Sequence, residues 1–306
     1  GYDAYFPQDA PLFRGLTVNP LRLDPPDRFA KIAPFAVSAA PFAPGGFYLT
    51  DPASRPGLHP YHHAGVYYLQ EPSASAPAAL LGVQPGERVL DLCAAPGGKS
   101  TQIAAALGGS GLLWSNEYVR SRAQVLLQNL ERCGVTNAVV SSTDVHTLAE
   151  GLPGWFDAVL VDAPCSGEGM FRKEPAALEQ WSEDNIRLCA ARQREILDAA
   201  AMLVRPGGRL VYSTCTFAPE ENECRIAAFL AEHPEFVLED CAVPFGRPAF
   251  GFDRVSAFAG EAACTVDLTR CRRILPDDGG EGHFIARLRR AGDVYAGSTV
   301  DFVYPQ

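Results

Sequence analysis

The chain has 306 residues, 47% of them hydrophobic and 20% charged, with a formal net charge of −10. That length supports one large domain or two smaller ones, and the lack of an apolar run near 18 residues excludes a transmembrane helix. The net acidity argues against a uniformly basic nucleic-acid-binding surface, although binding depends on local patches rather than on the sum.

The chain starts at Gly1 without a methionine, so its start reads as trimmed or engineered, and no signal peptide is legible. Residues 1–68 are rich in Pro, Phe and Ala and read as a small α+β accessory subdomain. Within it Gly15–Arg22 reads as a strand, Asp24-Pro25-Pro26 breaks it, and Arg28–Ile32 reads as a short helix. From residue 69 to about 290 strands alternate with helices. Strands are expected at Val89–Leu92, Leu112–Ser115, Ala138–Val140, Phe156–Asp162 and Leu210–Ser213. Helices are expected at Lys99–Leu107, Arg120–Cys133, Cys189–Leu203 (closed by Pro206-Gly207-Gly208) and Glu220–His233. This alternation implies an α/β fold, a Rossmann-like, doubly wound parallel sheet, with ligands at the carboxyl ends of its strands. Residues 291–306 read as a tail or linker.

The nine cysteines, at 93, 133, 165, 189, 215, 224, 241, 264 and 271, are odd in number and show no framework spacing. They argue for a reducing cytoplasm rather than a disulfide scaffold. There is no C-x-x-C pair, and no metal is expected. Basic residues cluster at Arg172-Lys173, at Arg270, Arg272 and Arg273, and at Arg287, Arg289 and Arg290. From charge alone these read as a solvated surface.

Three motifs fall at strand ends. Asp91-Leu92-Cys93-Ala94-Ala95-Pro96-Gly97-Gly98-Lys99-Ser100 joins the first strand of the alternating part to its helix. Its small residues allow close backbone approach to a ligand, and its spacing is neither a P-loop nor a dinucleotide fingerprint. Glu117, after the second strand, is placed to accept ribose hydroxyls, and Asp144, after the third, to accept an adenine amino group. A helix cap or a loop residue would account for either carboxylate alone; together they describe a nucleoside site. Asp162-Ala163-Pro164-Cys165-Ser166-Gly167 and Ser213-Thr214-Cys215-Thr216 bring two cysteines to the same sheet edge, amid polar residues.

In this order the three motifs resemble the RNA cytosine-5 methyltransferase family, the Nol1/Nop2/Sun group, over stretches from about Arg14 to Arg289. Pro164–Lys173, Tyr61–Ser73 and Gly282-His283-Phe284 resemble the bacterial branch that methylates 16S ribosomal RNA, the RsmF type. The resemblance implies a class I methyltransferase sheet, S-adenosylmethionine as cofactor, and 16S rRNA or the small subunit as partner of a cytoplasmic, monomeric enzyme. It implies that Cys93, Ala94, Ala95, Pro96, Gly97, Gly98 and Lys99 form the methionine-side loop of the cofactor site. Glu117 would hold the ribose, Asp144 the adenine edge, and Asp162 would lie near methyl group and base. Cys215 would be the nucleophile and Cys165 would assist product release. The first 68 residues would bind RNA, and a further carboxy-terminal RNA-binding domain is either absent or cut off at Gln306.

Carbon 5 of cytosine is a poor nucleophile, and a thiolate adding to carbon 6 makes it enamine-like. A lowered Cys215 pKa, favoured by Lys99, and a raised Asp162 pKa in a dry site are expected. Arg172, Lys173 and His283, with Pro164, are expected to line the approach of the unstacked base and hold flanking phosphates. Three alternatives stand beside this reading. A DNA cytosine-5 methyltransferase would use Cys165, but has no need of Cys215. A non-catalytic ribosome-assembly factor would have no reason to keep both cysteines. A small-molecule methyltransferase would not need the accessory subdomain.

Overall fold

A computed structural model describes residues 12–258 and 266–292; Cys264 and residues 293–306 of the expected tail lie outside the described residues. The first strand, β1 (Gly15–Val18), is buried along its whole length. It stops at Val18 rather than Arg22 because Asn19 turns the chain. The Asn19 side-chain oxygen accepts from the Leu21 N–H at 3.1 Å, and its carbonyl accepts from Arg22 and Leu23 at 2.9 and 3.0 Å. After the double proline come the one-turn helix α1 (Phe29–Ile32), β2 (Val37–Ala39), β3 (Gly46–Leu49), the Pro-started α2 (Pro60–His63) and β4 (Tyr67–Gln70). The four strands pair antiparallel in the order β2-β3-β1-β4. Leu16, Val18, Phe29, Phe47 and Tyr67 form their core, with Phe29 edge-on to Tyr67 at 5.5 Å.

The remaining chain folds over one large sheet. α3 (Ala76–Leu81) leads through a left-handed Gly82 to β5 (Arg88–Asp91), α4 (Gly98–Leu107), β6 (Leu112–Asn116), α5 (Arg120–Cys133) and β7 (Ala138–Ser141). There follow α6 (Val145–Gly151), β8 (Phe156–Asp162), α7 (Pro175–Gln180), α8 (Glu183–Leu203) and β9 (Val204–Thr214). The chain ends with α9 (Glu223–Glu232), β10 (Phe236–Glu239), β11 (Arg247–Pro248), α10 (Phe252–Val255), β12 (Arg272–Ile274) and β13 (His283–Arg290). Strands β7-β6-β5-β8-β9 run parallel, and β13 pairs antiparallel with β9 and carries β10 and β12 on its far edge. The Rossmann-like sheet expected from the alternation is present.

Each face of β8 enters a different core. Phe156, Val159 and Val161 pack with α6, α8 and α9, while Ala158 and Leu160 pack with α3, α4 and α5. That two-sided burial is why the strand is apolar at successive positions. α8 begins six residues before the expected Cys189, because the Ser182 hydroxyl caps it by accepting from the Asn185 N–H at 3.0 Å. Pro206-Gly207-Gly208 does not close that helix; it lies inside β9, where Gly208 has no space for a Cβ within 3.0 Å of the Asp157 carbonyl. Strand order reverses between β5 and β8, so their carboxyl ends open a crevice. No described helix is long and apolar enough to cross a membrane.

Candidate active site

The turn after β5 is stitched between its neighbours. Leu92 N–H donates to the Leu160 carbonyl at 2.9 Å, and Ala94 N–H to the Asn116 carbonyl at 2.8 Å. Gly97 has φ +111, open to glycine at little cost, and a Cβ on Gly98 would come within 2.6 Å of Gln70 Oε1 and 3.0 Å of the Tyr68 ring. The glycines therefore let β4 close down on the turn. Between them lies a cavity of about 220 Å³, lined by Tyr68, Leu69 and Gln70 of β4, by Asp91, Cys93–Pro96, Gly98 and Lys99, and by Asp162.

Asp91 is fully buried; one oxygen accepts from the Ser100 hydroxyl at 2.7 Å, and Oδ1 has no hydrogen-bond partner. Burial pushes its pKa up to about 7. Burial likewise pushes the Cys93 thiol up, so it lines the cavity as a neutral thiol. Lys99 Nζ donates to Asp162 Oδ2 at 2.6 Å, and the Ser213 hydroxyl donates to Oδ1 at 2.7 Å. The expected rise in the Asp162 pKa is corrected here. Burial alone would raise it, but Lys99, His283 and the hydrogen bonds outweigh burial and hold the carboxyl below its ordinary range. Burial opposes the charge on Lys99, yet Asp162 holds its pKa up as well, so the two stand as an ion pair.

Glu117 is buried at the end of β6; Oε1 accepts from Val119 N–H at 2.9 Å, and Arg122 stands 3.4 Å from Oε2 while also donating to the Ala95 carbonyl at 3.1 Å. Asp144 is half-buried and caps α6, accepting from the Thr147 N–H and hydroxyl at 2.9 and 2.6 Å. Neither carboxylate lines the cavity beside Lys99.

The two cysteines meet. Cys165 Sγ and Cys215 Sγ are 3.3 Å apart, and Gly169 N–H donates to the Cys215 carbonyl at 2.8 Å. The contact with Cys215, then burial, pushes the Cys165 thiol well above its usual range. The turn that carries Cys165 is fixed by Glu221, which is fully buried. It accepts from the Ser166 hydroxyl at 2.5 Å and from Gln193 at 2.7 Å. Glu168 fixes the Cys215 turn, accepting from Phe217 N–H at 2.8 Å and from Trp181 of the α7–α8 connection at 3.0 Å.

The four residues expected to meet RNA do not share one environment. Pro164 is exposed. Arg172 holds the buried Glu281 through two hydrogen bonds of 2.9 and 3.0 Å. Lys173 is half-buried, and burial lowers its pKa despite nearby Glu71 and Glu281. His283 is 6% exposed and is pushed down to about 4 by burial, which keeps the imidazole neutral. In the other basic clusters three residues are paired with carboxylates at close range. Arg273 lies in a buried ion pair with Glu223 at 2.6 Å, and Arg287 and Arg289 both hold Glu239, at 2.8 and 2.5 Å.

Sequence reasoning missed Asp91 as a site residue in its own right, together with Glu71, Ser73, Gln193 and Glu221. Asp91 stands inside the first motif and was legible there; the others are ordinary polar residues in sequence, brought together by pairings across 28 to 210 positions.

Two family models cover nearly the whole chain. That of the 16S rRNA methyltransferase RsmB/F matches residues 78–289, and that of the N-terminal domain of 16S rRNA methyltransferase RsmF matches residues 2–72. Ribosomal RNA small subunit methyltransferase F of Citrobacter koseri is 38% identical over 291 residues, covering 93% of this chain and 58% of its own length. The protein so named in Klebsiella pneumoniae is 38% identical, with the same two coverages, 93% and 58%. The chain thus spans less than two thirds of the length of these curated relatives. Among solved structures, a methyltransferase homolog protein from Pyrococcus horikoshii superposes with a TM-score of 0.79 at 29% identity, covering 94% of this chain and 93% of that one. NSun6 from the same organism, solved with SFG, shares the fold with a TM-score of 0.77 at 20% identity, covering 95% and 97%.

Proposed function

The chain belongs to the RsmB/F family of 16S rRNA methyltransferases, and from that membership we propose that it methylates carbon 5 of a cytosine in 16S rRNA, with S-adenosylmethionine as donor and Cys215 as nucleophile. The observation that carries the reading is the thiol pair, Cys165 and Cys215 in contact at 3.3 Å, at the strand end whose Ser213 bonds Asp162 of the Lys99–Asp162 pair.

The cradle fits the donor. Asp91 Oδ1 is a buried carboxylate oxygen without a partner on a cavity wall, and it suits a cationic ligand end. Residues Cys93–Lys99 would hold the methionine part and Glu117 the ribose. Asp144 would meet the adenine edge only by sharing the oxygens that now cap α6. The bound donor supplies an electrophilic methyl group.

The protein's own groups do the rest. The Cys215 thiolate adds to carbon 6, and the electron pair of the ring double bond moves toward carbon 5 and the ring edge. Because Asp162 is held charged, the donor to that electron-rich edge is Lys99, and Asp162 orients it. Cys165 keeps its proton, and a neutral thiol 3.3 Å away donates toward the Cys215 sulfur. That contact places a proton donor beside the sulfur when it leaves the ring. After methyl transfer, a solvent base takes the proton from carbon 5, the electrons of that bond re-form the ring double bond, the carbon–sulfur electrons return to Cys215, and the aromatic ring is restored. Cys165 assists that last step.

The test is to incubate the chain with methyl-labelled S-adenosylmethionine and separate samples of 16S rRNA, small subunits, 23S rRNA and duplex DNA. Label recovered as 5-methylcytosine from 16S rRNA or small subunits, and lost in Cys215→Ala, is the expected result. Label in DNA alone, or label that survives loss of Cys215, contradicts it.

A further inference from the structure

β13 opens beside the nucleophile. Phe284 is paired with Thr214, so His283 stands next to Cys215 at the carboxyl end of β9. Ile285 faces Ser213 in the same ladder. Side chains two apart on a strand share a face, which puts His283 on the face where Ser213 bonds Asp162. Asp162 and Lys99 both act electrostatically on the imidazole.

The other side of the ring is fixed from far away in sequence. Glu71 accepts from the backbone N–H groups of Ser73 and Glu281, both at 3.0 Å, and of Ala74 at 2.9 Å, and also from the Ser73 hydroxyl. A serine hydroxyl has one proton, and here it goes to Glu71. Ser73 Oγ, 2.9 Å from His283 Nδ1, therefore accepts, and Nδ1 carries the imidazole proton. The other nitrogen, Nε2, is left with a lone pair and has no hydrogen-bond partner among the described residues. Burial keeps the ring neutral, with a pKa near 4. The nearby Lys99 and Lys173 carry donors only, and Asp162 already accepts from Lys99 and Ser213.

We propose that His283 is a specificity-determining residue: Nε2 accepts a hydrogen bond from the 4-amino group of the target cytosine, and Glu71 with Ser73 positions the ring in the tautomer that makes this possible. Uracil would turn a carbonyl oxygen toward the same lone pair, leaving two acceptors unpaired, and sites built on a hydrogen bond reject such analogues strongly. The inference rests on the cytosine reading above and names the contact that would select the base.

The test compares RNA carrying cytosine at the target with RNA carrying 2-pyrimidinone, which lacks only the 4-amino group, by kcat/KM. The wild-type chain is expected to prefer cytosine by about tenfold, the factor of one good hydrogen bond. His283→Phe should lose that preference, and His283→Gln, whose amide oxygen still accepts, should keep part of it. Ser73→Ala, which frees the tautomer, should fall between wild type and His283→Phe. It also carries the comparison if His283→Phe fails to fold. A purely structural role would lower both rates without changing their ratio, and a wild-type ratio in both His283→Phe and Ser73→Ala overturns the proposal. So does methylated RNA left joined to Cys215 in His283→Phe, which would make the imidazole the acceptor of the carbon 5 proton. A wild-type chain that makes no 5-methylcytosine would overturn the cytosine reading itself, a distinct result.

Discussion

Asp91 and His283 are buried titratable groups whose shifts run in opposite directions, and each gives a sign to test. Asp91 is raised from 3.8 to about 7. Between those values the folded chain keeps a proton that the unfolded chain releases, so this group's contribution falls as pH rises through that window. His283 is lowered from 6.5 to about 4, so its contribution falls as pH drops from 6.5 toward 4. Asp91→Asn should therefore flatten the loss of stability toward neutral pH, and His283→Gln the loss toward acid, both read from urea midpoints across pH. A cationic ligand beside Asp91 favours its carboxylate. Affinity for S-adenosylmethionine should thus rise with pH through about 7, and Asp91→Asn should abolish that rise in calorimetric titration. An affinity independent of pH in the wild type would remove Asp91 from the binding site. Lys99, Asp162, Cys165 and Cys215 were legible in the sequence because each sits in a motif at a strand end. Of the Glu71–Ser73–His283 set, His283 was legible as a candidate, but its link to Glu71 and Ser73 was not, because Ser73 and His283 are 210 positions apart and only the fold joins them.

Among the elements, β8 was legible from end to end, since a strand buried on both faces needs apolar residues at successive positions. Leu160→Ala should cost about 2–5 kcal/mol in urea unfolding, because the residue fills the core under α3, α4 and α5 with no exposure. β13 was not legible. Arg287, Arg289 and Arg290 hide its apolar positions, and the charges read as a surface cluster, whereas Arg287 and Arg289 stand as ion pairs with Glu239 and Arg290 donates to the Val204 carbonyl. Arg273 misleads in the same way. Its guanidinium lies over the Phe284 and Phe250 rings at 5.8 and 4.6 Å while it pairs with Glu223 in the interior. Arg273→Ala should cost about 3–5 kcal/mol by leaving a buried carboxylate alone; a loss below 1 kcal/mol would mean the pair behaves as an exposed one.

At the scale of the molecule, the accessory sheet is joined to the catalytic part at several points. Asn19 donates its amide to the Cys133 carbonyl at 2.8 Å and to Gly65 at 2.9 Å, Arg132 donates to the His62 carbonyl at 2.6 Å, and Tyr68 reaches the Pro96 carbonyl at 3.2 Å. The composition shift near residue 68 gave no sign of this docking, in which β4 belongs to the small sheet and also lines the cavity beside Lys99. Of the basic residues that the sequence offers for RNA, carboxylates hold Arg172, Arg273, Arg287 and Arg289. The central claim is that Cys215 attacks the base and Cys165 helps release it. The most direct measurement is denaturing electrophoresis of Cys165→Ala and of Cys165→Ala/Cys215→Ala after incubation with S-adenosylmethionine and 16S rRNA. The account predicts a covalent protein–RNA band in the single variant and none in the double. A band that persists without Cys215, or a Cys165→Ala chain that turns over freely, would contradict it.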